Sequence, residues 1–113
     1  MEVIFDKELS KTDTKKRLAI PTNCLMHLPG FKASHAVNLL VKDRNGHVSK
    51  IRCSIRKKGY PKPVFTAGWI EFVHRFKLRV GDRIIFYGDK DESYKIEVKR
   101  KITILGKHIW AAM

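Results

Sequence analysis

A small, partly closed β-barrel with two short helices is the fold this sequence predicts. Three observations predict it. The chain has 113 residues, one domain's worth, and enough to bury a core without disulfide staples. Six or seven short segments alternate apolar and polar residues with the period of a half-buried strand. Only two stretches carry helix signals, so strands have to provide the layers around the core.

In chain order, Ile4-Phe5 opens a strand, and a polar loop is expected from Lys7 to Lys16. Arg17-Leu18-Ala19-Ile20-Pro21 reads as a short strand stopped by proline, which cannot donate to a ladder. Thr22-Asn23 caps a short helix through Leu25, Met26 and Leu28, ended by Pro29-Gly30. Val37, Leu39 and Val41 form the apolar face of the next strand, and Asp43-Arg44-Asn45-Gly46 turns it back. The return strand, residues 48–56, places Ile51, Cys53 and Ile55 on the core side and Lys50, Arg52 and Arg56 opposite. It leads into the loop Lys57-Lys58-Gly59-Tyr60-Pro61-Lys62-Pro63, stiffened by two prolines.

The second helix runs from Gly68 to Phe76, with Trp69, Phe72, Val73 and Phe76 spaced as one core-facing stripe. That placement makes Trp69 a core residue and not a base-stacking platform. Gly81-Asp82 turns into a strand over Arg83 to Tyr87, and an acidic turn spans Gly88 to Ser93. Tyr94, Ile96 and Val98 alternate on the antiparallel return. Ile102-Thr103-Ile104 adds a last strand, which puts the domain core at about residues 4–104 and a tail at 105–113.

Composition excludes several classes. At 43% apolar and 31% charged residues, the chain reads as an ordinary globule, neither disordered nor membrane-bound. No apolar run approaches the roughly 18–20 residues of a membrane span, and Met1-Glu2-Val3-Ile4-Phe5-Asp6 lacks the features of a secretory signal. Two cysteines, Cys24 and Cys53, make no disulfide framework and suit a reducing compartment. Five scattered histidines have no zinc-ligand spacing, so no metal and no cofactor is expected. Catalysis is not expected either. Glu97-Val98-Lys99 matches half of a metal-dependent nuclease signature, with Asp89 or Asp91 as a candidate acid, but both charges sit on the polar side of a strand and no paired-carboxylate or triad set accompanies them.

Charge is the feature that points to function. The chain has 24 Lys/Arg against 11 Asp/Glu, a formal +13, the electrostatic footprint of a nucleic-acid binder. Acids collect toward the two ends, and from Thr14 to Ile70 the only one is Asp43. Cations crowded on one strand face repel each other, and a polyanion held against them relieves that cost.

The order of motifs resembles the plant B3-type DNA-binding domain. The matching pieces are Phe5-Asp6-Lys7-Glu8-Leu9-Ser10-Lys11-Thr12-Asp13, Arg17-Leu18-Ala19-Ile20-Pro21 and the turn at Asp43 to Gly46. They continue with Gly68-Trp69-Ile70-Glu71-Phe72-Val73, Leu78-Arg79-Val80-Gly81-Asp82 and Ile84-Ile85-Phe86-Tyr87. The resemblance implies a mainly β fold, a seven-stranded open barrel (a DNA-binding pseudobarrel) with two short helices. It also implies two arms that grip the major groove of double-stranded DNA, the first around Lys11 to Arg17 and the second from Arg56 to Val64. Many family members carry a Trp-Asn-Asn-Ser-like stretch in the second arm. This chain has Lys57-Lys58-Gly59-Tyr60 there, so the family's target sequences do not transfer.

The expected DNA contacts are therefore Lys11, Thr12, Thr14, Lys15, Lys16 and Arg17 on the first arm, and Arg56, Lys57, Lys58, Tyr60 and Lys62 on the second. Lysines there supply phosphate contacts, while an arginine fork can read guanine. Each has a plainer reading beside it. Lys15-Lys16-Arg17 could be a solvated loop or import signal, Thr12 with Asp13 could simply close a turn, and Tyr60 could pack on the barrel rim. The role expected is DNA binding within a nuclear plant transcription regulator, with other transcription factors as further partners. Two rivals stay open: a barrel that binds single-stranded nucleic acid through exposed aromatics, and an interaction module whose basic face docks an acidic protein.

Overall fold

The structure, a computed structural model, describes residues 2–22, 24, 35–55, 62–89 and 93–113. In chain order the elements are β1 (Glu2–Glu8), α1 (Lys11–Lys15), β2 (Leu18–Ala19), β3 (Ala36–Lys42) and β4 (Val48–Ser54). They continue with β5 (Val64–Phe65), α2 (Trp69–Phe76), β6 (Arg83–Gly88), β7 (Tyr94–Ile104) and β8 (Lys107–Ala112). Seven strands form one curled path in the order β1-β6-β7-β3-β4-β5-β2, and β8 joins it through β7 alone. All neighbours are antiparallel except β3 and β7, which touch in parallel at Val41–Tyr94 and Lys42–Lys95. This is the open barrel expected from the motif order.

Inward residues of successive strands make one core. Phe86 of β6 is fully buried and stacks with Phe5 of β1 at 5.3 Å and with Tyr94 of β7 at 5.5 Å. Phe65 of β5 reaches Phe86 at 5.4 Å and Trp69 of α2 at 6.3 Å, so the aromatic chain runs from sheet to helix. Edge-to-face and offset ring pairs of this kind add stability beyond the area they bury. Trp69, Phe72 and Val73 are buried and Phe76 half-buried, the stripe that the helical spacing predicts.

Four expectations need correction. The polar loop at Lys7 to Lys16 is instead the end of β1 followed by α1. Ser10 caps that helix reciprocally with Asp13: Ser10 N–H donates to Asp13 Oδ2 at 2.8 Å, and Asp13 N–H to Ser10 Oγ at 3.3 Å. A capping box satisfies two otherwise orphaned donors, which lets so short a helix form. The strand expected from Arg17 to Pro21 is only Leu18–Ala19, because only there does the sheet path offer β5 as a ladder partner. The basic strand ends at Ser54 and not at residue 56; Ile55 is half-buried, its N–H bonding to His35 O at 2.9 Å. Finally, the tail expected at 105–113 is a turn and a strand: β7 runs without a break through Ile104, and β8 pairs back from Lys107–Ile104 to Ala112–Lys99. Leu105 and Gly106 both have positive φ, 51° and 80°, the geometry of a tight type I′ hairpin. Most of the helix expected from Thr22 to Leu28 lies outside the described residues.

Candidate nucleic-acid interface

The first expected arm is built on a buried carboxylate. Asp13 is 2% exposed although it lies on a five-residue helix that begins and ends with lysine. Its Oδ1 accepts from Lys7 Nζ at 3.1 Å and from Ala19 N–H at 3.4 Å, and its Oδ2 caps Ser10. Its backbone carbonyl accepts from Trp69 Nε1 at 2.7 Å. One residue thus ties α1 to β1, β2 and α2. Around it Lys11, Thr12, Lys15, Lys16 and Arg17 are exposed. Thr14 is half-buried and its hydroxyl donates to Lys11 O at 3.0 Å, so its proton serves its own helix.

The segments expected to carry the two arms meet where β2 pairs with β5. Leu18 pairs with Phe65 and Ala19 with Val64, and Ile20 N–H extends the register by donating to Pro63 O at 3.0 Å. Continuing it, Arg17 stands beside Thr66 and Pro21 beside Lys62. Leu18, Phe65, Ile20 and Pro63 are buried, and side chains alternate along a strand, so Arg17 and Lys62 share the outward face of this ribbon. Four strand steps separate them, about 14 Å at the usual rise. The outward row continues onto β4: Arg52 O accepts from Thr66 N–H at 2.8 Å and Arg52 itself is exposed. Arg52 was legible as part of a charged strand face, but its alignment with Arg17 depends on β5 lying between them. Arg56, Lys57, Lys58 and Tyr60 lie outside the described residues, so Lys62 alone represents the second arm.

Among the described residues the three buried acids, and the exposed Asp6 as well, are paired with structural cations. Asp13 pairs with Lys7 at 3.1 Å, Asp43 with Arg75 at 3.2 Å, Asp82 with Arg100 at 2.8 Å, and Asp6 with Arg83. Asp43, the sole acid of the middle, is 4% exposed and also accepts from Asn45 and His47 N–H at 2.9 and 3.1 Å. By contrast Lys11, Lys15, Lys16, Arg17, Arg52 and Lys62 have no ion-pair partner among the described residues. The excess positive charge is therefore displayed, with little negative charge in its midst to screen it.

The remaining candidates for chemistry are occupied elsewhere. Glu97 accepts from Tyr87 OH at 3.1 Å, and among the described residues no group of three or more His, Cys, Asp or Glu could hold a metal ion. No described Phe, Tyr or Trp is exposed: the described Phe rings and Trp69 serve the core, and Trp110 lies under Arg83 and Lys101, each 5.3 Å from its centroid. Burial pushes the Cys53 thiol up to about 12, which makes it an inert core residue.

The family model described as the B3 DNA binding domain matches residues 5–102. Among solved structures, an Arabidopsis FUS3–DNA complex is similar at 24% identity with a TM-score of 0.74, covering 90% of this chain and all of that one. A hypothetical Arabidopsis thaliana protein is similar at 24% identity with a TM-score of 0.67, covering 85% of this chain and 88% of its own. At such identities the likeness concerns the fold. No curated protein sequence matches significantly.

Proposed function

This chain belongs to the B3 DNA binding domain family, and on that premise we propose that two basic arms clasp the major groove of double-stranded DNA. It does so as the sequence-reading domain of a plant transcription regulator acting in the nucleus. The observation that carries the reading is the shared outward face of Arg17 and Lys62 on the β2–β5 ribbon. Their spacing of about 14 Å compares with a major groove about 12 Å wide, so cations on the two arms can meet one groove together.

Within that reading the roles divide by rigidity. Arg17 immediately precedes β2, where the ladder holds its backbone, and its planar fork suits the O6 and N7 acceptors of guanine. Lys11, Lys15, Lys16 and Lys62, with Arg52 beside them, neutralise phosphates and set register. Thr12 remains a candidate phosphate donor, whereas Thr14 contributes through its helix. The DNA bound by FUS3 in the similar structure supports DNA as the ligand. The described Phe rings and Trp69 serve the core and Trp110 lies under cations, an arrangement that suits phosphate contact better than the base stacking of a single-strand binder.

Selection from a random duplex pool, followed by competition with single strands, tests the proposal. An enriched motif that single strands do not displace is expected. Lys15→Ala and Lys62→Ala should weaken all duplexes alike, while Arg17→Ala should flatten the preference at one base pair by about 1–3 kcal/mol. Selection that enriches no motif, or arm variants that bind like the parent, would overturn it.

A further inference from the structure

The hairpin of β7 and β8 is a part of the described surface that the DNA-binding role leaves unexplained. The family match stops at residue 102, inside β7, so the turn and all of β8 lie beyond the matched span. Its two faces differ. On one, Trp110 is covered by Arg83 and Lys101, and Thr103 Oγ1 lies 3.0 Å from His108 Nδ1. On that face the apolar ring is covered by cations. On the other, Ile102 pairs across the ladder with Ile109, and Ile104 with Lys107. These isoleucines are 36%, 45% and 51% exposed, and Leu105 at the turn is 98% exposed.

Two further features define what could cover that face. Among the described residues β8 pairs only with β7, so its outer edge presents unpaired backbone donors and acceptors, a template for strand addition. The segment from Val98 to Met113 carries Lys99, Lys101 and Lys107 and no acid, its fourth cation, Arg100, being paired with Asp82. We propose that the outer edge of β8 takes an extended acidic segment of a partner protein as an added strand. Alternate apolar side chains of that segment would pack beside Ile109 and Ile102, and its carboxylates, on the opposite face, would meet Lys101 above Trp110.

Competing occupants fit less well. A second copy of this chain would bring the same cations face to face, and like charges opposite one another repel. Nucleic acid would satisfy the lysines but leave the isoleucines wet, and Trp110 is already covered by Arg83 and Lys101.

The test uses the full chain, labelled with nitrogen-15, and a capped ten-residue peptide alternating valine and glutamate. Its controls are the same peptide with lysine for glutamate, and a duplex of arbitrary sequence. Alternate β8 amides should gain protection from hydrogen exchange with the acidic peptide only. The double variant Ile102→Ser with Ile109→Ser, at exposed positions, should bind the peptide about tenfold more weakly and bind duplex DNA as the parent does. Equal response to both peptides, unchanged binding by the double variant, β8 shifts on adding the duplex, or a concentration-dependent dimer in sedimentation would each overturn the proposal.

Discussion

At the scale of single residues, Asp13 bears more structure than any exposed lysine. Reading Asp13 as a turn residue was open from the sequence, since Asp after Ser-x-x is a capping signal. What the sequence could not show is that Ala19 N–H, Lys7 Nζ and Trp69 Nε1 all converge on it, because that convergence joins residues 56 positions apart. Asp13→Ala removes the cap and strands buried donors, so it should cost about 2–3 kcal/mol in chemical denaturation. Duplex affinity should fall further than this loss of folded protein explains, because α1 no longer holds its cations in place. Lys11→Ala, by contrast, should leave the unfolding midpoint within about 0.5 kcal/mol of the parent. Cys53 gives a pH prediction. Burial raises its thiol from 9.0 to about 12 in the folded state, so the unfolded chain loses its proton first as pH rises. The contribution is complete below pH 9 and drains away between 9 and 12, at up to about 1.4 kcal/mol per pH unit. Urea titrations of the parent against Cys53→Ala should converge across that window and run parallel at neutral pH.

At the scale of elements, strands with a buried face were the most legible. Ile51 and Cys53 face inward and Lys50 and Arg52 outward, as strict alternation requires, and α2 declares itself through its apolar stripe. Short elements were not legible. α1 spans five residues, too few for any period to register, and its existence depends on one reciprocal cap. β8 was read as a tail because Lys107 and His108 at its start dilute the alternation, and because its hairpin turn uses Leu105 at positive φ, where Asn or Gly would be the usual signal. A glycine decides how α2 begins. Gly68 has φ +90°, and a Cβ there would fall on the carbonyl oxygen of Lys50 in β4. Gly68→Ala therefore combines backbone strain with a collision against a sheet strand and should cost roughly 3 kcal/mol. Circular dichroism melting would report this as a drop of the midpoint by about 10 °C. A melt unchanged by the substitution would mean that α2 is not pinned against β4.

At the scale of the whole molecule, the sequence determined what surrounds the core but not how the two arms are brought together. The approach of Arg17 and Lys62 depends on β2 pairing with β5, a two-residue ladder between segments more than forty positions apart, which local periodicity cannot reveal. Once the sheet curls, Asp6, Asp13, Asp43 and Asp82 are paired with structural cations, and the net +13 is expressed through the unpaired ones. This separation has a measurable consequence. Phosphate contacts release condensed counterions, so affinity for a duplex falls with salt in proportion to the number of phosphates neutralised. With the arms and Arg52 engaged, about five to eight contacts are expected, giving a slope of log K against log salt between about −4.5 and −7. Lys62→Ala should reduce the magnitude of that slope by about one unit. Arg75→Ala, which unpairs a buried acid from its structural cation, should instead lower stability while leaving the slope per folded molecule nearly unchanged. Binding measured by fluorescence anisotropy across a salt series separates the two kinds of cation, and a slope near zero would mean that the displayed charge is not what holds the duplex.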